Sequence, residues 1–273
     1  MSGRFVWTNG ELAAAGARID PRDRGFSLGD GLFETLRVRD GEILRLKSHL
    51  SRLREGAKTI GLPIPWSDEE LAGALEATLA ANGLSSAAAR LTVSRGVPER
   101  RGLLPDAGAS PTLVVTADPF DGYPARFYER GMAAVTSGMP RNERSPLANV
   151  KSLSYLENVL ARREAAGADE SLLLNTRGDL ACASAANIFL VFGEKLVTPD
   201  LPSGALPGTV RAAVLKFGLA VEERPVRPEE LEHAREAFLT SALLGAAPLV
   251  AVDGRPIGSG EPGPISRELS AVL

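Results

Sequence analysis

The chain has 273 residues, enough for one large domain or two modest ones with a full hydrophobic core. Its 31 basic and 34 acidic side chains leave a formal charge of −3 and are scattered without a basic tract, which argues against nucleic acid as a partner. A single cysteine excludes an internal disulfide framework, two distant histidines exclude a metal-ligand cluster, and no apolar run is long enough to cross a bilayer.

The first residues, Met1 to Glu11, lack the apolar core of a signal peptide, so the expected location is the cytoplasm. Phe5 to Trp7 followed by Asn9-Gly10 predicts a strand and a turn. Asp23 to Gly31 is rich in glycine and reads as a loop; its spacing matches neither a Walker loop nor a dinucleotide fingerprint. Leu32 to Val38 is strand-like, Asp40-Gly41 is a tight turn, and Glu42 to Leu46 is the expected hairpin partner. A helix is expected from Ser48 to Ile60, stopped by Gly61 and Pro63. Ser67 and Glu70 form a capping box, opening a second helix that ends near Asn82-Gly83. Arg90 to Ser94 and Thr112 to Thr116 are β-rich. The loop after the first, Arg95 to Gly102, carries arginines that fit either a solvated charge cluster or a loop that recognises a carboxylate.

Two prolines and a glycine in Asp118 to Pro124 mark a linker. The expected organisation is a small N-terminal α/β domain at 1–117, the linker at 118–124, and a larger C-terminal domain at 125–273. In the second half, strands are expected at Met132 to Thr136, Ser171 to Leu174, Asn187 to Phe192, Ala237 to Thr240 and Leu249 to Val252. A turn falls at Asn175 to Gly178, a helix runs from about Pro207 to Phe217, and Pro228 to Glu232 opens a short one. Several turns are too short for crossovers, so the fold class is α/β with mixed (α+β) sheets rather than a doubly wound parallel sheet.

Lys151 stands apart. Leu153, Leu156, Val159 and Leu160 repeat at helical spacing, so a buried helical face is expected after it, with Ser152 as the N-cap. Tyr155 then lies one turn on, on the same side. Lysine is the side chain that forms an imine with an aldehyde cofactor. Further along, Gly208-Thr-Val-Arg211 opens a helix after Pro207, where free N–H groups suit a phosphate. Thr240 and Ser241 offer hydroxyls at a strand end. Alone, Pro-Gly-Thr is a common helix start and a lysine before a helix is commonly a surface residue. The conjunction points to pyridoxal 5′-phosphate.

That conjunction resembles the fold type IV pyridoxal phosphate enzymes, the class IV aminotransferase family with its two-domain, D-amino-acid aminotransferase-like architecture. The resemblance runs from Phe5 to about Val252. It is carried by Arg24-Gly-Phe-Ser-Leu-Gly-Asp-Gly-Leu-Phe-Glu34, His49-Leu-Ser-Arg-Leu53, Lys151-Ser-Leu-Ser-Tyr155, Asn187-Ile-Phe189 and Leu206-Pro-Gly-Thr-Val-Arg211. It implies that the C-terminal domain holds the cofactor, that Lys151 is the Schiff-base lysine, and that Arg52 pairs with the cofactor phosphate. By the same resemblance Gly208, Thr209, Val210, Thr240 and Ser241 complete the phosphate contacts, and Tyr155 and Asn187 belong to the cofactor site. Phe33, Arg95 and Arg101 are the expected substrate-binding residues, for a small amine or carboxylate substrate. The family also implies a homodimer.

One departure stands out. The family carries a glutamate against the pyridine nitrogen five residues before the asparagine of Asn187-Ile-Phe189, and here that position is Cys182. Among the subfamilies, Gly29 to Thr35, Ser94-Arg-Gly96, Ser145 to Lys151 and Pro207 to Arg211 look most like the 4-amino-4-deoxychorismate lyase branch. Aminotransferases acting on branched-chain or D-amino acids or amines are the alternative. A catalytically silent cofactor-binding dimer is a third reading.

Overall fold

The computed structural model describes residues 5–14, 18–100, 102–105 and 110–273. The chain divides into two units. The first comprises residues 1–121 with Val150–Ser154, and the second Gly122–Asn149 with Tyr155–Leu273. The chain passes from the first unit to the second between Asp121 and Gly122. The return of Val150–Ser154 to the first unit was not foreseen by a single boundary.

The first unit is β1 (Phe5–Thr8), β2 (Glu11–Ala14), α1 (Arg24–Leu28), β3 (Gly31–Arg39), β4 (Glu42–Ile43), α2 (Leu46–Ile60), α3 (Asp68–Asn82), β5 (Ala87–Val97) and β6 (Ser110–Pro119). The strands form one antiparallel sheet in the order β2-β1-β6-β5-β3-β4. Both predicted tight turns are present, with Asn9 and Asp40 at positive φ before a glycine, as type I′ hairpins require. Helix α3 is opened by the reciprocal Ser67–Glu70 capping box and closed by Gly83. Leu50 and Leu53 of α2, with Leu71 and Leu75 of α3, share one core with Leu32, Leu36, Leu91 and Val93 from the sheet. The glycine-rich stretch contains a short helix, α1, which the sequence reading missed. The Asp23 carboxylate caps it by accepting from the Gly25 and Phe26 N–H groups.

The second unit contains α4 (Arg126–Glu129), β7 (Met132–Thr136), α5 (Leu156–Glu164), β8 (Glu170–Leu174), β9 (Leu180–Ala183), β10 (Asn187–Phe192) and β11 (Lys195–Pro199). It continues with α6 (Thr209–Val214), β12 (Val221–Arg224), β13 (Glu236–Ser241), β14 (Gly245–Val252), β15 (Arg255–Pro256) and α7 (Pro264–Val272). Its sheet runs β12-β11-β10-β13-β14-β7-β8-β9, with β15 on β14. Three pairings are parallel, β11–β12, β14–β7 and β7–β8, and the rest are antiparallel, so the sheet is mixed as expected. Helix α7 was missed because its cap comes from far away. The buried Glu236 carboxylate of β13 accepts from the N–H groups of Ile265 and Ser266.

The helix expected right after Lys151 begins later. Residues 151–153 are extended and pair with the start of β3: the Phe33 N–H donates to the Lys151 carbonyl at 3.0 Å, and the Leu153 N–H to Gly31 at 2.9 Å. Ser152 therefore caps nothing. Helix α5 starts at Leu156 with Tyr155 at its N-cap position and no side-chain cap. Leu156 is 67% exposed and Val159 50% exposed, and the buried face is Asn158 and Ala161 instead. The helical spacing of apolar residues was real, but part of it belongs to a strand-like segment.

Candidate active site

The pairing with β3 fixes Lys151. Strand β3 sends Leu32, Leu36 and Val38 into the core, so Phe33 lies on its opposite face. The Lys151 Nζ stands 4.3 Å from the centre of the Phe33 ring, and the Arg90 guanidinium carbon stands 3.8 Å from the same centre. Both are cation–π distances. Arg90 was not among the predicted site residues. It lies two residues from Thr92, the partner of Phe33 in the β3–β5 register, and so shares the Phe33 face. Tyr155 is half-buried; because residues 151–154 are not helical, helical spacing no longer ties it to Lys151.

Arg52, on α2, lies in a buried polar cluster of the first unit. Its Nε donates to Glu34 Oε1 at 2.8 Å and its Nη2 to Oε2 at 2.5 Å, while His49 Nδ1 lies 2.7 Å from Oε2. Burial opposes ionisation of Glu34, yet hydrogen bonds from Arg52 and His49 outweigh it and hold the carboxyl below its ordinary range. Burial drives His49 the other way, below the usual histidine range, and the Glu34 carboxylate only partly restores it. The cluster was legible in part: a glutamate in the inward row of β3 needs cationic neighbours, and His49 and Arg52 lie one helical turn apart.

Arg95, expected to meet a substrate carboxylate, is engaged by groups of the first unit itself. Its Nε donates to Asp30 at 2.8 Å, its Nη1 to the Gly61 carbonyl at 2.7 Å and its Nη2 to the Ile60 carbonyl at 2.9 Å. It is buried, and its fork closes the C-terminus of α2. Arg24 donates to the same Asp30 oxygen at 2.7 Å and also holds the Gly102 and Leu103 carbonyls. Arg101 lies outside the described residues.

In the second unit, the β10–β13 register sets Asn187 opposite Thr240. Asn187 Nδ2 donates to the Leu206 carbonyl at 2.8 Å, which draws the turn before α6 against β10. Gly208 is the N-cap of α6, and a Cβ there would stand 2.1 Å from Asn187 Oδ1, so any side chain at this position would displace the Asn187 amide. Thr209 and Val210 follow, both buried. Helix α6 is only one and a half turns long, shorter than expected. The Thr240 hydroxyl is buried and has no hydrogen-bond partner among the described residues. A buried hydroxyl left unsatisfied costs about 1–3 kcal/mol. With the N–H groups opening α6, it fits a phosphate group. Ser241 accepts from the Leu244 N–H at 3.2 Å in the β13–β14 turn.

Cys182 of β9 is buried against Ala161, Leu173 and Met139. Burial pushes its thiol up; the nearby Arg141 guanidinium opposes this and the Glu170 charge adds to it. The thiol is therefore un-ionised near neutral pH. Glu170 is itself buried and accepts from the Ser184 hydroxyl and from the Ser171 N–H.

A family model for class IV aminotransferases matches residues 31–252. The chain belongs to the class IV aminotransferase family. It is thereby a pyridoxal phosphate enzyme of fold type IV, an aminotransferase or a lyase. A Methanocaldococcus jannaschii relative, provisionally named a branched-chain-amino-acid aminotransferase, is 35% identical over 97% of this chain and 93% of its own. A D-alanine aminotransferase of Bacillus licheniformis is 30% identical over 93% of this chain and 90% of its own. The crystal structure of 4-amino-4-deoxychorismate lyase from Pseudomonas aeruginosa superposes with a TM-score of 0.85 at 34% identity, covering 97% of each chain.

Proposed function

We propose that this class IV enzyme is a 4-amino-4-deoxychorismate lyase, which releases pyruvate from its substrate and leaves 4-aminobenzoate for folate biosynthesis. The observation that carries the reading is the un-ionised thiol of Cys182 where the family pattern has an acid. Transamination needs the strongest electron withdrawal, because a proton must be carried from the substrate carbon to the cofactor. Elimination that ends in an aromatic ring is driven by its product and tolerates a weaker withdrawal. The similarity to the Pseudomonas aeruginosa lyase along the whole chain supports the same reading.

Bound pyridoxal phosphate supplies an aldehyde for the substrate amine and an electron-withdrawing ring. Lys151 is proposed as the residue that binds the aldehyde, yields it to the substrate, and then takes a proton from the amine-bearing ring carbon. Arg52, Gly208, Thr209, Val210, Thr240 and Ser241 are proposed to hold the phosphate, with Asn187 fixing the turn that presents Gly208. Tyr155 is proposed to orient the phenolic oxygen. Phe33 lines the substrate side, and Arg101 and Arg90 are the arginines proposed to meet the substrate carboxylates. The working form is proposed to be a cytoplasmic homodimer, as the family resemblance implies.

The names of the two aminotransferase relatives favour a second reading, transfer of an amino group from branched-chain or D-amino acids. One assay separates the two. Purified protein is given 4-amino-4-deoxychorismate, and separately a panel of L-branched-chain and D-amino acids with a keto-acid acceptor. Release of pyruvate and 4-aminobenzoate, with slow transfer from the panel, supports the lyase. Rapid transfer without pyruvate release overturns it.

A further inference from the structure

We propose that Glu34 and His49 are positioning residues for Arg52, fixing which edge of its guanidinium faces the phosphate ester of the cofactor. The inference rests on the reading of Arg52 as a phosphate ligand given above.

Glu34 occupies the core-facing row of β3, between Leu32 and Leu36, and is 1% exposed. Its two carboxylate oxygens take the Nε–Nη2 edge of Arg52 in a fork. A two-point contact of this kind fixes the guanidinium plane as well as its place. His49 Nδ1 lies against Oε2 from the same helix, so the carboxylate is held from a second direction and cannot rotate with the arginine. The side of Arg52 turned away from Glu34 is thereby set.

The fold alone does not require this arrangement. The surrounding residues of α2 and β3, among them Leu50, Leu53, Leu32 and Leu36, form an apolar core. Well-packed apolar residues commonly replace a buried ion pair with no loss of stability. A charged fork on a cofactor-facing arginine, by contrast, removes the freedom of a long side chain before the ligand arrives. Precise placement of a binding group by its neighbours is what such supporting contacts achieve elsewhere.

The test compares two ligands that share the aldehyde and differ in the phosphate. Pyridoxal 5′-phosphate and pyridoxal are titrated into protein freed of cofactor, for the parent, Glu34→Gln, His49→Gln and Arg52→Ala. Glu34→Gln should weaken pyridoxal phosphate by about tenfold or more, the loss expected for one charge-assisted contact. Pyridoxal binding should change less than about twofold, because it never meets Arg52. His49→Gln should shift the same ratio in the same direction by a smaller factor, and it carries the test if Glu34→Gln does not fold. Equal weakening of both ligands would assign the pair a purely structural role and overturn the inference. If Arg52→Ala shifts the ratio and neither supporting variant does, the positioning inference fails while the Arg52 reading stands. If Arg52→Ala leaves the ratio unchanged, both fall together.

Discussion

Replacing Arg95 with Ala removes three part-buried hydrogen bonds at once, to Asp30 and to the carbonyls of Gly61 and Ile60. Asp30 keeps Arg24, so its charge is not wholly abandoned. The last turn of α2 loses its side-chain cap. Hydrogen bonds from a charged group contribute about 1.5–3 kcal/mol each, so losing three part-buried ones made by one side chain costs about 3–5 kcal/mol in all. The assay is urea unfolding followed by tryptophan fluorescence. Both tryptophans, Trp7 and Trp66, pack against the core of the first unit, so the signal reports that unit. With a denaturant slope of about 2 kcal/mol/M, the midpoint should fall by roughly 1.5–2.5 M. KM for a carboxylate-bearing substrate and for a simple amine should move together, if at all. A midpoint within about 0.5 M of the parent, with a selective rise in KM for the carboxylate substrate, would refute the structural role of Arg95.

Lys151→Ala should abolish both the visible absorbance of the bound cofactor and turnover; borohydride labelling of another lysine would remove Lys151 from its assigned role. Gly208→Ala should weaken cofactor binding and displace Asn187, since the new Cβ would stand 2.1 Å from Asn187 Oδ1, and a parent-like cofactor affinity would show that the turn does not serve the phosphate. Cys182→Glu should change the cofactor spectrum and speed single-turnover amino transfer more than pyruvate release; unchanged spectrum and rates would mean that Cys182 does not face the ring nitrogen. Acid should weaken the first unit. Glu34 and His49 both have folded pKa values below their ordinary ones, so their contribution is complete above the ordinary ranges and is lost as pH falls. The loss begins in the ordinary histidine range, where the unfolded chain takes up a proton before buried His49 does, with Arg52 and Arg45 nearby opposing its charge. Fluorescence midpoints measured across pH check this, and a midpoint that rises on acidification contradicts it.

What the sequence made legible were features decided within a few residues. Ser67 and Glu70 announced α3 because both partners of the capping box are local, and Asp40-Gly41 announced its hairpin for the same reason. Leu32 to Val38 announced the strand β3 by its β-rich composition, while the inward row of Leu32, Leu36 and Val38 was set by the packing of α2 and α3. Features decided across the chain were hidden. Leu153 and Leu156 share one apolar pattern, yet Leu153 pairs in an extended segment with Gly31 while Leu156 is exposed on a helix. Nothing local separates the two. Arg95 and Arg90 are both arginines of one strand; only the partners brought in from Asp30, Gly61 and Phe33 give them different work. In the second unit, Gly208 and Thr240 were picked out from sequence, but the close approach of Asn187 that joins them depends on the β10–β13 register.

The return of residues 150–154 to the first unit bears on how the protein is made. Leu153 covers the backbone of Gly25 and Gly31 so closely that a Cβ at Gly31 would stand 2.7 Å from its Cδ1. Val150 of the same segment belongs to the apolar core of the first unit, so until the segment has been synthesised the unit lacks a piece of its own core. A ribosome adding about 5–20 residues per second leaves the unit incomplete for roughly 2–7 seconds after Asp121 is joined. During that interval the start of β3 lacks the partner that Lys151 to Leu153 supply and offers an unpaired edge to whatever is nearby. A gene fragment that stops at Asp121 would make this transient condition permanent. Expressed alone, residues 1–121 should require chaperones or aggregate, and a synthetic Val150–Ser154 peptide supplied in trans is the missing piece.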